Sequence, residues 1–128
     1  MELIEILKAD YERFPENQTY SIYAPDVYFK DPLTEFRGLE KYQKMIDFIR
    51  QWFVAVQFDV HDLAQEGGEI LSRWTLSWTV PLFWRPRVSI SGRSQLQVNS
   101  ENLIISHIDD WDCSRLDVLK QLFSASRN

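Results

Sequence analysis

The hydrophobic pattern of the chain changes its period near residue 55, and this change restricts the possible folds more than any other feature. Before that point, apolar residues recur every three or four positions, which is typical of amphipathic helices. After it, apolar and polar residues alternate with period two until about residue 112, which is typical of half-buried strands. Helices and strands are therefore segregated along the chain, and we predict an α+β fold.

Two helices are predicted in the first half of the chain. Residues 2–14 carry an apolar stripe that ends before Pro15, because a residue preceding proline is disfavoured in the helical conformation. Residues 38–53 carry a longer and continuous apolar stripe, which predicts a helix packed on the core. Between the two helices we expect a short helical turn over residues 19–24 and a β-branched, aromatic strand over residues 27–31.

Long strands are predicted in the second half, over residues 56–65, 69–80, 87–98 and 103–112. Strands of this length are about twice the mean, and a flat sheet built from them is unusual. Gly92 lies in the middle of one strand and offers a point for a sharp bend. We therefore expect a strongly curved antiparallel sheet whose hollow side is closed by the N-terminal helices. After it, Ser114 and Asp117 predict the cap of a short C-terminal helix.

The length of the chain limits the number of domains, and its charge limits the classes of partner. A chain of 128 residues predicts one domain, residues 1–128. The net charge of -5 argues against nucleic acid, which requires a surplus of Lys and Arg. Cys113 is the single cysteine, which excludes a disulfide framework. We find no signal peptide and no apolar run of the roughly 20 residues that cross a bilayer, so we predict no membrane span and a cytoplasmic protein.

Four segments carry a resemblance to a known family, and together they span nearly the whole chain. On these segments the chain resembles domain of unknown function 2358, a family of oxygenic photosynthetic prokaryotes and plastids. The order of its elements resembles the cone-shaped superfamily of nuclear transport factor 2, ketosteroid isomerase, scytalone dehydratase, limonene epoxide hydrolase and the SnoaL-type polyketide cyclases. The segments are YAPDVYFKDPLTEFRGLEKY (23–42), RWTLSW (73–78), WRPRVSISGRS (84–94) and ISHIDDWDCSRLDVLKQ (105–121).

The resemblance implies a cavity inside the cone and a homodimer formed through the outer face of the sheet, where Arg73, Thr75, Arg93 and Gln95 are expected to lie. It does not by itself transfer a reaction, because one fold serves many functions. Limonene epoxide hydrolase directs an Arg and an Asp inward from the strand that corresponds to 69–80. Here the expected inward residues of that strand are apolar, which leaves that mechanism incomplete. Ketosteroid isomerase needs an oxyanion hole made by a Tyr and a protonated Asp; Tyr11 is a candidate for the first, and the second has no good match.

Asp31 is the first candidate for acid–base chemistry. The run VYFKDP (27–32) is similar to the segment of ketosteroid isomerase in which an Asp before a Pro is the general base. A carboxylate at the end of a strand beside an apolar pocket has a raised pKa, as proton abstraction near neutral pH requires. The alternative is that Asp-Pro forms a turn, in which the carboxylate only accepts backbone hydrogen bonds.

The last predicted strand holds the second candidate. His107, Asp109 and Trp111 alternate and therefore share one face of the strand. In the SnoaL-type cyclases and limonene epoxide hydrolase, the corresponding strand directs an acid and an aromatic residue into the cavity. By that resemblance Asp109 is a base, with a plausible acid–base partner in His107. The alternative is a buried hydrogen bond with an architectural role alone.

Six apolar residues on the predicted inner face form the third feature. Together they suit a small, largely apolar ligand, although large apolar residues on one strand face also fill a core. His61, His107 and Asp109 form only a weak metal pattern, so we predict no metal and no cofactor. The six residues are Phe29, Trp74, Leu76, Trp78, Ile90 and Trp111.

Three functions remain open from the sequence. The first is the binding of a small apolar molecule in the cavity. The second is a cofactor-independent isomerase, dehydratase or hydrolase that uses Asp31, His107 and Asp109. The third is a dimeric protein-interaction module, which would use the outer sheet face or the segment LFWRPR (82–87), since Trp and Arg anchor interfaces. In the last case the alternative is that Trp84 folds back onto the protein.

Overall fold

The computed structural model describes residues 2–123, in which the helices and strands are segregated as the hydrophobic pattern predicts. A 3-10 turn at Tyr20–Ile22 and two short strands separate the first two helices. The helices are α1 (Leu3–Glu12), α2 (Leu39–Trp52) and α3 (Arg115–Leu122). The strands are β1 (Tyr23–Lys30), β2 (Glu35–Arg37), β3 (Val54–Glu66), β4 (Glu69–Thr79), β5 (Arg87–Val98) and β6 (Ile104–Trp111).

The six strands form one sheet in the order β2-β1-β6-β5-β4-β3. The four long strands pair antiparallel, as predicted, whereas β1 pairs with β6 in parallel, so the six-stranded sheet as a whole is mixed. The reason lies in the path of the chain. Helix α2 carries it from β1 and β2 to the far edge at β3, and three hairpin connections return it to β1 with β6 in the same direction.

The first strand is longer than the sequence indicates. Strand β1 begins at Tyr23, where the sequence predicted a helical turn, and it runs through the exposed Pro25. Its register against β6 shifts between Tyr23 and Tyr28. Such an irregularity accommodates a proline, which has no N–H to donate to a partner strand. Strand β2, only three residues long, was not predicted.

The sheet contains bulges and one very close approach. The register of β3 against β4 shifts between Val60 and Asp62, and bulges of this kind increase local bending and twist. Gly92 of β5 lies opposite Trp74 and Trp111. A Cβ atom at Gly92 would overlap the carbonyl oxygen of Asp110 and lie 3.0 Å from the indole of Trp74. The absence of a side chain at Gly92 thus leaves room for the Trp74 ring to pack against β5 here.

The helices cover the inner face of the sheet. Helix α1 packs against β3 and α2 packs against β1, so that both helices contribute to one apolar core with Phe29, Leu96 and Ile104. A second cluster surrounds Trp74 and Trp78. Helix α3 packs against β5 and begins with the predicted capping box, in which Ser114 and Asp117 exchange hydrogen bonds. None of the helices described in residues 2–123 is long and apolar enough to cross a membrane.

Candidate functional site

A cavity of about 450 Å³ lies between the inner face of the sheet and helices α1 and α2. Period-two alternation places its lining residues, because every second side chain of β4, β5 and β6 points inward. All nine side chains that the sequence singled out line this one cavity. They are Phe29, Asp31, Trp74, Leu76, Trp78, Ile90, His107, Asp109 and Trp111.

The walls of the cavity are mainly aromatic. Phe53, at the end of α2, stacks on Trp78 with ring centroids 4.3 Å apart. The ring centroid of Phe58 in β3 lies 5.4 Å from that of Trp74, and the Phe58 ring stacks on Tyr11 of α1 at a centroid distance of 5.0 Å. These contacts fix the ring planes, so the walls present flat and rigid apolar surfaces.

A chain of hydrogen bonds across three strands holds Asp109. The indole Nε1 of Trp74 donates to Ser94 Oγ at 2.9 Å, and Ser94 Oγ donates to Asp109 Oδ1 at 2.5 Å. Asp109 Oδ1 also lies 2.7 Å from His107 Nε2. The three strands β4, β5 and β6 thus position one carboxylate oxygen through three side chains, while Asp109 stays partly exposed.

The partners of His107 assign its tautomer. His107 is 8% exposed, and its Nδ1 has no hydrogen-bond partner within the described residues. The ring packs against Phe29 and Tyr42, at centroid distances of 5.0 and 5.9 Å. A buried N–H without a partner costs more than a buried lone pair without one. We therefore assign the proton of a neutral His107 to Nε2, which donates to Asp109.

Asp31 forms a turn at the end of β1. Its Oδ1 accepts hydrogen bonds from the backbone N–H groups of Leu33 and Thr34 at 2.8 and 2.7 Å, which is the turn geometry anticipated as the alternative. Burial nevertheless raises the pKa of Asp31 above its ordinary value, against the lowering effect of the two N–H groups. The negative charge of Asp109 also raises the pKa of Asp31.

Three tyrosine hydroxyls lie in the same cavity. Tyr11 OH is 2.9 Å from Ser72 Oγ, and burial raises the pKa of Tyr11 to about 12. Tyr23 OH and Tyr42 OH lie 3.2 Å apart, and burial raises both pKa values above that of an ordinary tyrosine. All three hydroxyls are therefore neutral donors near neutral pH.

Residues 1–107 match a protein family described as Uncharacterized conserved protein (DUF2358). The chain belongs to this family. No curated protein matches the DUF2358 chain.

Solved structures show that this chain has the nuclear transport factor 2-like fold. An NTF2-like protein of unknown function from Burkholderia pseudomallei K96243 is 12% identical with a TM-score of 0.76, and the match covers 94% of this chain and 97% of that one. An LEH-like epoxide hydrolase from M. tuberculosis is 15% identical with a TM-score of 0.70, covering 93% and 87%.

A third solved structure adds a bound molecule on the same fold. This protein from Catenulispora acidiphila DSM 44928, with a ketosteroid isomerase-like fold, is described in complex with trimethylamine. It is 16% identical to the DUF2358 chain with a TM-score of 0.71, and the match covers 94% of this chain and 93% of that one. At these identities the three likenesses establish the α+β cone fold alone.

The sequence analysis did not identify several polar residues of the cavity. Ser94 shares the inner face of β5 with Ile90, so the alternation alone was sufficient to place it. Asp10 of α1 also lines the cavity and is 4% exposed. Its carboxylate accepts hydrogen bonds from Arg13 at 2.6 Å and from the Thr19 backbone at 3.0 Å. An acid on the apolar stripe of a helix was the signal that could have found it.

Other residues considered from the sequence lie outside this cavity. His61 bonds to Thr75 on the outer face and is separated from His107. Within residues 2–123, no group of three His, Cys, Asp or Glu side chains is arranged to hold a metal ion. A groove on the outer face includes Arg73 and Arg93, and Arg93 pairs with Asp110 at 2.9 Å.

The 82–87 segment is exposed only in part. Phe83 is 99% exposed, whereas the Trp84 indole donates to the Leu122 carbonyl oxygen at 2.6 Å, so Trp84 folds back onto α3. The Arg87 guanidinium donates to the Ala55 carbonyl oxygen, also at 2.6 Å. The anchors expected of an interface, Trp and Arg, are thus partly engaged within the chain.

Proposed function

We propose that this protein binds a small, largely apolar ligand in the cavity between its sheet and helices α1 and α2. The observation that carries the proposal is a cavity of about 450 Å³ whose walls are mainly aromatic and in which a hydrogen-bonded polar cluster surrounds Asp109. Pockets for small molecules have volumes of about 300–1,000 Å³ and combine mainly apolar walls with a few positioned polar groups. A fully packed core would leave no such volume.

The cavity is open to a ligand at one end. Leu33 and Phe48 both line it, and they are 66% and 57% exposed. Their positions mark a mouth between the 31–34 turn and helix α2. The trimethylamine complex of the Catenulispora protein is consistent with a small molecule in a cavity of this fold.

The proposal is tested by filling the cavity. Leu76 lines it, whereas Leu71 on the same strand lies on the outer face and is exposed. We expect Leu76→Trp to weaken binding of the neutral probe 1-naphthylmethanol at least about tenfold by calorimetry, and Leu71→Trp to leave it unchanged. Thermal melts verify that both variants fold. Equal binding by both variants, or no binding of neutral, cationic or anionic naphthalene probes by the native chain, would contradict the proposal.

A cofactor-independent enzyme is the second candidate, and the His107–Asp109 contact of 2.7 Å favours it. Asp109 would act as base, His107 as its partner and Asp31 as a second acid–base group, with Trp111 as a wall of the cavity. The reaction would be an isomerisation, a dehydration or a hydrolysis. The LEH-like fold relative is a hydrolase by its description.

The enzyme proposal predicts turnover by the protein alone. Any molecule released on denaturing the protein purified from its own source is returned to the native chain, and its conversion is followed by mass spectrometry. At saturating ligand, Asp109→Asn lowers the rate by about 10²–10⁴, because the general base is lost. A rate unchanged by this substitution would remove Asp109 from the mechanism.

We also propose that the protein forms a homodimer through the outer-face groove that contains Arg73 and Arg93. We propose that it acts in the cytoplasm. The groove is wide and carries both charged and apolar side chains, including Leu71 and Ile108. An interaction module that uses the 82–87 segment is less well supported, because Trp84 is bonded to α3.

A further inference from the structure

Carboxylates outnumber basic side chains in the cavity, where His107 is the one basic group among the described lining residues. Three carboxylates line it, from Asp10, Asp31 and Asp109, and none of its described lining residues is a Lys or an Arg. A carboxylate in an apolar cavity is costly unless a cation or hydrogen-bond donors compensate it. The partners of each carboxylate therefore indicate which one lacks compensation.

Two of the three carboxylates are compensated within the protein. Asp10 forms an ion pair with Arg13 at 2.6 Å and accepts two further hydrogen bonds from Thr19. Asp31 accepts hydrogen bonds from two backbone N–H groups of the 31–34 turn, and burial raises its pKa, which favours the neutral form. Neither requires a ligand to complete its contacts.

Asp109 is different, because among the described residues no Lys or Arg forms an ion pair with it, although it also borders the outer groove that holds Arg73 and Arg93. Ser94 and His107 both bond to Oδ1, and within the described residues Oδ2 has no hydrogen-bond partner. The Asp109 side chain is 18% exposed, so Oδ2 has no full access to bulk water. A ligand donor at Oδ2 would complete the contacts of this carboxylate, and a positively charged donor would form the stronger hydrogen bond.

The surrounding rings favour the same kind of ligand. Trp74, Trp78 and Trp111 line the cavity together with Asp109. The face of an indole attracts a cation within about 6 Å of its centroid, and this attraction strengthens when water is excluded. An anionic head group would instead meet three carboxylates and no Lys or Arg among the described lining residues.

We infer that the ligand of this cavity is an organic cation, with an apolar body and an ammonium head group that donates to Asp109 Oδ2. The inference rests on the proposed binding function and adds the charge of the ligand to it. The apolar body lies against the aromatic walls, and the ammonium replaces the counterion that the polar cluster lacks. The inference predicts that fatty acids, phosphate esters and other anions bind more weakly than amines of the same body.

The experiment compares three probes that share one body and differ in head-group charge. These are 1-naphthylmethylamine, 1-naphthylmethanol and 1-naphthoic acid, titrated calorimetrically near neutral pH. We expect the amine to bind at least about tenfold more tightly than the alcohol, which corresponds to about 1.4 kcal/mol, and the acid to bind least. Asp109→Asn removes the preference for the amine. Asp110→Asn changes the net charge equally on the outer face, where Asp110 pairs with Arg93, and leaves the preference intact.

The outcomes separate the two proposals. If the amine and the alcohol bind equally, or the acid binds most tightly, the inference about charge is overturned while the binding function stands. If none of the probes binds the native chain, the binding function fails as well. If both Asp variants lose the preference, the effect is long-range charge rather than contact with Asp109, and the inference is overturned. Should Asp109→Asn fail to fold, the order of the three probes on the native chain still decides.

Discussion

Gly92 occupies the position in the sheet where an added methyl group has the least room. Its Cβ would overlap the carbonyl oxygen of Asp110 and press on the Trp74 indole, which itself donates to Ser94 in the polar cluster. We predict that Gly92→Ala destabilises the protein by about 1–3 kcal/mol, the usual cost of overpacking, measured by denaturant unfolding. The added methyl group also displaces the Trp74 ring, so we expect the variant to bind the naphthalene probes more weakly.

Gly67 provides a matched control for that substitution. It has a φ of +59° and open space around its Cβ direction, so Gly67→Ala introduces backbone strain without a steric overlap. Its cost is expected to be about 1–2 kcal/mol from the left-handed φ alone, with unchanged probe binding. Probe binding that is unchanged in Gly92→Ala as well would contradict the steric explanation.

At the scale of strands and helices, alternation was the most informative signal in the sequence. It placed Trp74, Trp78 and Asp109 on inward faces, and in the structure all three line the cavity. The helices followed from apolar stripes and terminal residues, with bounds within two residues of those observed. These features are local, since each depends on residues a few positions apart.

The features that were missed depend on long-range pairing. The direction of β1 relative to β6 is set by the path of the whole chain, and no local pattern encodes it. Strand β2 is too short to show a period. The hydrogen bonds from Trp74 through Ser94 to Asp109 require the register of three strands, so the sequence indicated Asp109 and His107 but not the Ser94 link between them. Whether these residues bind or catalyse stays a prediction.

At the scale of the whole molecule, three tyrosines of the cavity, each on a different element, link the stability of the fold to pH. Tyr11 lies on α1, Tyr23 on β1 and Tyr42 on α2, and burial raises all three pKa values above the ordinary 10.0, that of Tyr11 to about 12. In the unfolded chain the same hydroxyls ionise near 10. The folded state therefore holds more protons than the unfolded state above that pH, so stability falls as the pH rises.

This difference predicts alkaline unfolding with a defined onset. The contribution of Tyr11 to stability is fully present below about pH 10 and is lost as the pH rises toward about 12, at a rate of up to about 1.4 kcal/mol per pH unit for each such group. Denaturant unfolding at a series of pH values measures the slope, while tyrosinate absorbance and circular dichroism follow ionisation and structure together. Tyr11→Phe costs about 1 kcal/mol near neutral pH, because the hydrogen bond with Ser72 is lost, yet it makes the alkaline slope shallower. If the tyrosines ionise near pH 10 while the native circular dichroism persists, the hydroxyls are open to water and the cavity is not the dry, aromatic-walled space on which ligand binding depends.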